Sequence, residues 1–107
     1  LVLGGGGAAR AALLALKRLG WPRAVAARRA ELSTELAERF GARRVAWADL
    51  DKVPFDVLVQ TTPLGGSSHP GVVAYEGELP PGCVVLDAVY RPLNTPLLRK
   101  ARARGCE

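Results

Sequence analysis

The sequence predicts an α/β domain built on a parallel sheet with helices on both faces, and three observations carry that expectation. Short apolar runs alternate along the chain with stretches of helical periodicity. The first run, Leu1-Val2-Leu3, passes directly into four glycines and then into an alanine- and leucine-rich segment, the order of a strand, a tight turn and a helix. The later runs are nearly all apolar rather than alternating, as strands covered on both faces are. Strands joined through helices give right-handed crossovers, so the fold class is a Rossmann-like doubly wound sheet in a single domain, residues 1–107.

The elements follow in order. After the strand at 1–3, a helix is expected over 8–19, with Gly20 as its C-cap and Pro22 preventing continuation. Residues 23–27 are short and apolar enough for a second buried strand. Leu32, Leu36 and Phe40 then mark one face of a helix over 31–40, which Gly41 stops. A weaker third strand is expected at 44–47, leading into a short turn around Ala48, Asp49 and Leu50, and a clear fourth strand at 55–59. The segment 61–81, rich in Gly, Pro and Ser, reads as a loop of a length that suggests function. A fifth strand at 83–87 precedes a last helix at 96–104, with Thr95 as N-cap and Pro96 in the first turn.

Composition narrows the function. A chain of 107 residues buries about two thirds of its unfolded surface and keeps a real core. It lacks methionine and begins inside a strand pattern, so the expectation is a domain cut from a longer chain. No run approaches the roughly 18 apolar residues of a membrane span. Cys83 and Cys106 are far apart in sequence and form no C-x-x-C, which reads as reduced thiols in a cytoplasmic protein rather than a staple or a metal site. The net charge of +5 is spread over solvated helix faces without interleaved aromatic residues, so no nucleic-acid partner is expected, whereas a basic balance suits an anionic cofactor.

Gly4, Gly6 and Ala9 match the G-x-G-x-x-A fingerprint of dinucleotide binding: a tight turn, a bare backbone beside the pyrophosphate, and a small residue where helix meets strand. Gly4, Gly5, Gly6, Gly7 and Ala8 are thus candidate phosphate-binding residues at a helix N-terminus. A lone fingerprint is a weak signal, and a glycine turn without ligand is the alternative. A Walker loop is excluded, since no Lys-Ser/Thr follows. Ligands of such sheets lie beyond the carboxyl ends of the strands. After the second strand, where an NAD site places an acid for the ribose, this chain has Arg28 and Arg29. A guanidinium fork suits the 2′-phosphate of NADP; the alternative is an exposed basic turn. Glu31 suits the dipole of the following helix better than the ribose.

After the fourth and fifth strands come Gln60-Thr61-Thr62-Pro63-Leu64-Gly65 and Asp87-Ala88-Val89-Tyr90-Arg91-Pro92-Leu93-Asn94-Thr95-Pro96. With the glycine turn and Arg28, this ordered set resembles the nucleotide-binding domain of the shikimate dehydrogenases, including those fused to a dehydroquinate dehydratase. The resemblance covers essentially the whole chain; its first motif is generic and the tyrosine-proline loop is specific. It implies that Gly4, Gly6, Gly7 and Ala8 hold the pyrophosphate of NADP and that Arg28 holds the 2′-phosphate. Thr61 and Thr62 would line the ribose and nicotinamide side, Val89 would present backbone to the nicotinamide, and Tyr90 would face the substrate. Asp87, also present in the family, is read as bonding the amides of its own loop rather than doing chemistry.

Departures accompany the match. The family's Asn-Arg-Thr is here Ala27-Arg28-Arg29, a second basic residue often found four positions after the arginine is here Leu32, and Arg29 is a candidate replacement. Gln60 stands where many members have Asn, and Gly66 where many have Met. The resemblance places the lysine, aspartate and serines that serve the substrate in an N-terminal domain outside these residues, and a substrate-contacting glutamine after residue 107. His69, without an acid or serine arrangement, reads as a solvent-exposed loop residue. The resulting expectation is the cofactor half of an NADP-dependent dehydrogenase interconverting 3-dehydroshikimate and shikimate, inactive as a fragment, with no catalytic residue and no metal of its own. The alternatives are a quinate dehydrogenase using NAD, a methylene-folate dehydrogenase, which the Tyr90-Arg91-Pro92 loop argues against, and a non-catalytic nucleotide-sensing module.

Overall fold

The computed structural model describes residues 1–89 and 94–107, and its five strands form one parallel sheet in the order β3-β2-β1-β4-β5. The strands are β1 (Val2–Leu3), β2 (Ala24–Ala26), β3 (Arg43–Arg44), β4 (Val57–Gln60) and β5 (Val84–Asp87). The helices are α1 (Gly7–Arg18), α2 (Ala30–Phe40) and α3 (Pro96–Ala103), with a 3-10 helix at Trp47–Lys52. The first strand is central: Val2 pairs with Val25 and Val59, and Leu3 with Ala26 and Gln60. This is the expected doubly wound order, with the direction of winding reversed between β1 and β4.

Alternation along the strands divides the core into two layers. Val2 and Val25 point toward α1 and α2 and pack with Ala9, Leu13, Leu36 and Phe40. Leu1, Leu3, Ala26 and Leu58 point the other way, into a larger cluster with Leu50, Tyr75, Leu79 and Leu97. Both faces of the sheet are therefore buried, which is why its strands read as continuous apolar runs.

Helix ends follow the sequence signals. At the end of α1, Gly20 adopts φ +71°, its N–H bonds the Lys17 carbonyl at 3.0 Å and the Trp21 N–H bonds the Leu16 carbonyl at 3.1 Å. That is the Schellman pattern, which needs a residue free to adopt the left-handed region. Gly41 closes α2 in the same region. Thr95 caps α3, its Oγ1 accepting from the Leu98 N–H at 3.2 Å.

Two expectations change. The third strand is only Arg43–Arg44, and Trp47 opens the 3-10 helix instead of ending a strand; at an edge paired only with β2, a short strand suffices to bury Val45. The segment 61–81 holds no helix or strand, as expected, but it is not simply a surface loop. Leu64, Ala74, Tyr75 and Leu79 are buried in the larger core cluster, so the segment covers the sheet where a crossover helix would otherwise lie. Lys100 of α3 fastens it, its Nζ donating to the carbonyls of Tyr75 at 2.8 Å and of Gly77. The cysteines, distant in sequence, are neighbours in space. At the outer edge of β5, the Glu107 N–H bonds the Cys83 carbonyl at 3.0 Å and the Val85 N–H bonds the Glu107 carbonyl at 2.6 Å, the rungs of a parallel neighbour.

Candidate functional site

The glycine turn is built around one close approach. Gly4 sits at φ +131°, its N–H bonding the Ala26 carbonyl at 2.8 Å, and a Cβ there would lie 2.1 Å from Thr61 Oγ1. Thr61 is held in turn by two bonds to the Leu3 carbonyl, from its N–H at 2.8 Å and from its hydroxyl at 2.7 Å. Gly5 rests on Leu32, whose side chain a Cβ would meet at 2.9 Å. Gly6 and Gly7 face open space, with nothing within 4 Å of an added Cβ. The start of α1 carries no side-chain cap and no acid in its first turn, although Lys17 and Arg18 complement its other end. The first amides of α1, around Gly7, Ala8 and Ala9, therefore have no intrahelical acceptor and sit at the positive end of the dipole, beneath a bare glycine surface.

To one side of this turn lies the tip of β2. Arg28 is exposed and, among the described residues, forms no ion pair; it borders a cavity of about 520 Å³ that Trp47, Ala48, Leu64 and Val72 help to line. Asp51 and Glu76 border the same cavity. Arg29 is differently engaged: its Nε lies 2.9 Å from Glu31 Oε1, an exposed pair at the start of α2. The Glu31 carboxyl is held below its ordinary range by its own backbone N–H at the helix start and then by Arg29. The acid thus serves the helix, and the second arginine is tied to it.

To the other side lie the tips of β4 and β5. Thr61, Thr62, Gly66, Ser68 and Val89 line a cavity of about 360 Å³. The Thr62 hydroxyl donates to Gln60 Oε1 at 2.7 Å and its N–H does so at 2.8 Å, while Gln60 Nε2 donates to the carbonyls of Thr62 at 2.9 Å and Leu64 at 3.1 Å. Gln60 is fully buried and acts as the internal splint of the turn after β4, a role sequence reasoning missed because the departure from Asn was the only signal. Both threonines border the cavity, yet their hydroxyl protons are donated within the protein.

After β5, Asp87 Oδ1 accepts from the Val89 N–H at 2.9 Å and Oδ2 from the buried Thr95 hydroxyl at 2.7 Å. Since Thr95 Oγ1 also caps α3, one carboxylate joins the strand tip, the following loop and the helix. The reading of Asp87 as a loop-bonding residue agrees with this geometry. Asp87 thus fixes the Val89 backbone through its N–H. Tyr90, the expected substrate-facing residue, lies outside the described residues. His69 is exposed and its Nδ1 lies 3.0 Å from Ser68 Oγ. No cluster of three or more metal-ligating side chains occurs among the described residues.

The arrangement is a trough across the carboxyl ends of the strands, with a phosphate-compatible turn at β1, Arg28 beyond β2 and a second cavity beyond β4 and β5. No family model matches the chain. It is 42% identical over 114 residues to the shikimate dehydrogenase (NADP(+)) of Streptomyces avermitilis, covering 97% of the chain and 39% of that protein. The corresponding protein of Nitrobacter winogradskyi is 46% identical over 110 residues, covering 98% of the chain and 39% of its own length. Among solved structures, shikimate 5-dehydrogenase from Thermus thermophilus in complex with NADP(H) and shikimate superimposes with a TM-score of 0.79 at 34% identity, over 99% of the chain and 40% of that structure. Quinate dehydrogenase from Corynebacterium glutamicum in complex with NAD gives 0.87 at 32% identity, over 99% and 41%. The chain spans about two fifths of the length of each of these relatives.

Proposed function

We propose that the chain, similar from end to end to one stretch of the shikimate dehydrogenases, belongs with that family and is the NADP-binding part of an enzyme interconverting 3-dehydroshikimate and shikimate. The observation that carries the reading is the open, uncapped glycine turn at Gly6 and Gly7, flanked by Arg28 on one side and by Thr61, Thr62 and Val89 on the other. A dinucleotide needs those three features in that order across a sheet whose winding reverses beside β1. NADP, when bound, would supply the hydride-transfer chemistry between the alcohol of shikimate and the ketone of 3-dehydroshikimate.

The chain's own residues bind and orient. Amides at the start of α1 receive the pyrophosphate oxygens, and the absence of side chains at Gly6 and Gly7 lets those oxygens reach backbone. Arg28 pairs with the 2′-phosphate at the rim of its cavity; Asp51 and Glu76 on the same walls disfavour placing that anion deeper. Arg29 and Leu32 contribute no second cation, because Arg29 is paired with Glu31 and Leu32 packs on Gly5. Asp87 holds the Val89 N–H at the nicotinamide side of the trough, and Tyr90, next in sequence, is the residue that the family resemblance assigns to the substrate. The structural likeness to the NAD-bound quinate dehydrogenase supports a second reading, quinate with NAD, against which stands Arg28, without an ion pair among the described residues, where an NAD site has an acid.

The residues that accept and donate the proton of the alcohol belong, in this reading, to the remaining three fifths of the enzyme. Mixing the chain with NADP and shikimate is expected to give cofactor binding without NADPH formation, while the longer protein containing it oxidises shikimate with NADP. Shikimate oxidation by these residues alone, or a longer protein active only on quinate with NAD, overturns the proposal.

A further inference from the structure

Cys83 immediately precedes β5 and Cys106 follows α3, 23 positions later, yet their sulfurs lie 3.1 Å apart. The contact is built rather than incidental. Backbone bonds tie Glu107 to Cys83 and Val85, the Cys106 N–H bonds the Ala101 carbonyl at 2.9 Å, and the two thiols share a bond in which Cys83 donates. Their exposure differs: Cys83 is 4% exposed, whereas Cys106 is partly open and its Sγ also lies 3.4 Å from the Pro80 carbonyl.

We propose that Cys83 and Cys106 form an oxidisable dithiol site, at which a peroxide or a low-molecular-weight disulfide converts the pair to an intramolecular disulfide. With hydrogen peroxide, Cys106 as thiolate attacks one oxygen, the O–O bond breaks, the leaving hydroxide takes up the proton that the Cys106 thiol gave up, and Cys106 becomes a sulfenic acid with release of water. The Cys83 sulfur then attacks the Cys106 sulfur, the S–O bond breaks, and the departing hydroxide takes the Cys83 proton as a second water. Two thiols and one peroxide give one disulfide and two waters. The order follows from the geometry, since Cys106 is the accessible sulfur and accepts the Cys83 S–H. Burial, and then the bond to Cys106, push the Cys83 thiol up to about 11, so it remains protonated until its partner is activated. Closing the sulfurs from 3.1 Å to a bond of about 2.05 Å is a local movement at a sheet edge.

The covalent loop so formed contains β5, Asp87, Thr95, α3 and the β5-side residues Ala88 and Val89 that line the cavity beyond β4 and β5. Oxidation therefore fastens the base of the β5 side without touching the residues that face the cofactor.

The test treats the intact protein with hydrogen peroxide, blocks remaining thiols by alkylation and maps its peptides without reduction. The expected result is a Cys83–Cys106 cross-linked pair within one chain, reversed by dithiothreitol, with a higher melting temperature for the oxidised form. Cys83→Ser is expected to stop at a Cys106 sulfenic acid that dimedone traps, and Cys106→Ser to leave Cys83 unmodified. Free, alkylatable cysteines after peroxide, disulfides formed only between chains, or a Cys106→Ser protein in which Cys83 oxidises as fast as Cys106 does in the unsubstituted protein would each overturn the proposal.

Discussion

Gly4 and Gly6 look alike in sequence and do different work. Gly4 combines positive φ with a 2.1 Å approach to Thr61, so Gly4→Ala strains the backbone and displaces the threonine that pins β4 to β1. A loss of about 2 to 4 kcal/mol is expected, measured by urea unfolding. Gly6 is extended and open, so Gly6→Val is expected to leave stability nearly unchanged and to weaken NADPH and NADH alike by about tenfold or more, because a branched side chain covers the amides that receive phosphate. Calorimetric titration with both cofactors separates the two cases; a folded Gly6→Val chain binding normally would show that the turn holds no phosphate. The fingerprint made all these glycines legible as a turn. What it could not convey is which of them is constrained by contact, since the Gly4 neighbour is Thr61, 57 positions along the chain.

At the scale of elements, α1, α2, β4 and α3 were readable because their signals are local: apolar spacing, a glycine past the helix end, a threonine-proline start. The third strand and the packed segment 61–81 were less so. Trp47 and Val45 look strand-like in isolation, but the partner that ends the strand and the core that receives Tyr75 are supplied by tertiary structure. The bracing of the β5 loop was half legible, in that Asp87 reads as a loop-bonding acid while its link to Thr95 requires the helix to be docked. Asp87→Ala removes a carboxylate that accepts two bonds and leaves the buried Thr95 hydroxyl and the Val89 N–H without that partner. The expected cost is about 2 to 3 kcal/mol, or a fall in melting temperature of roughly 8 to 20 °C for a domain of this size. Asp87→Asn, which retains one acceptor oxygen, is expected to lose less; equal losses in the two variants would indicate that the retained bond contributes nothing.

Across the whole molecule, two apolar layers hold a sheet whose strand tips form the trough, so stability and binding reside in different places. Leu58, fully buried in the larger layer, is remote from the glycine turn in sequence and faces the core; Leu58→Ala is expected to destabilise by about 2 to 5 kcal/mol while a folded fraction still binds cofactor. Substrate handling was legible only through the family resemblance, since Tyr90 apart, no residue of these 107 is expected to touch substrate. The basic character of the β2 tip, by contrast, is explicit in the chain, and on the proposed reading it discriminates between the two cofactors. Charge-assisted bonds contribute roughly 1.5 to 3 kcal/mol, so Arg28 should favour NADPH over NADH by about ten- to a hundredfold. Arg29→Ala should leave that preference in place, Arg29 being paired with Glu31. The decisive measurement is a fluorescence titration of the chain, through Trp21 and Trp47, with NADPH and with NADH, before and after Arg28→Ala. Tighter NADPH binding that collapses toward the NADH value in the Arg28→Ala chain is the predicted result; equal affinities in the unsubstituted chain, or a preference that survives the loss of Arg28, would contradict it.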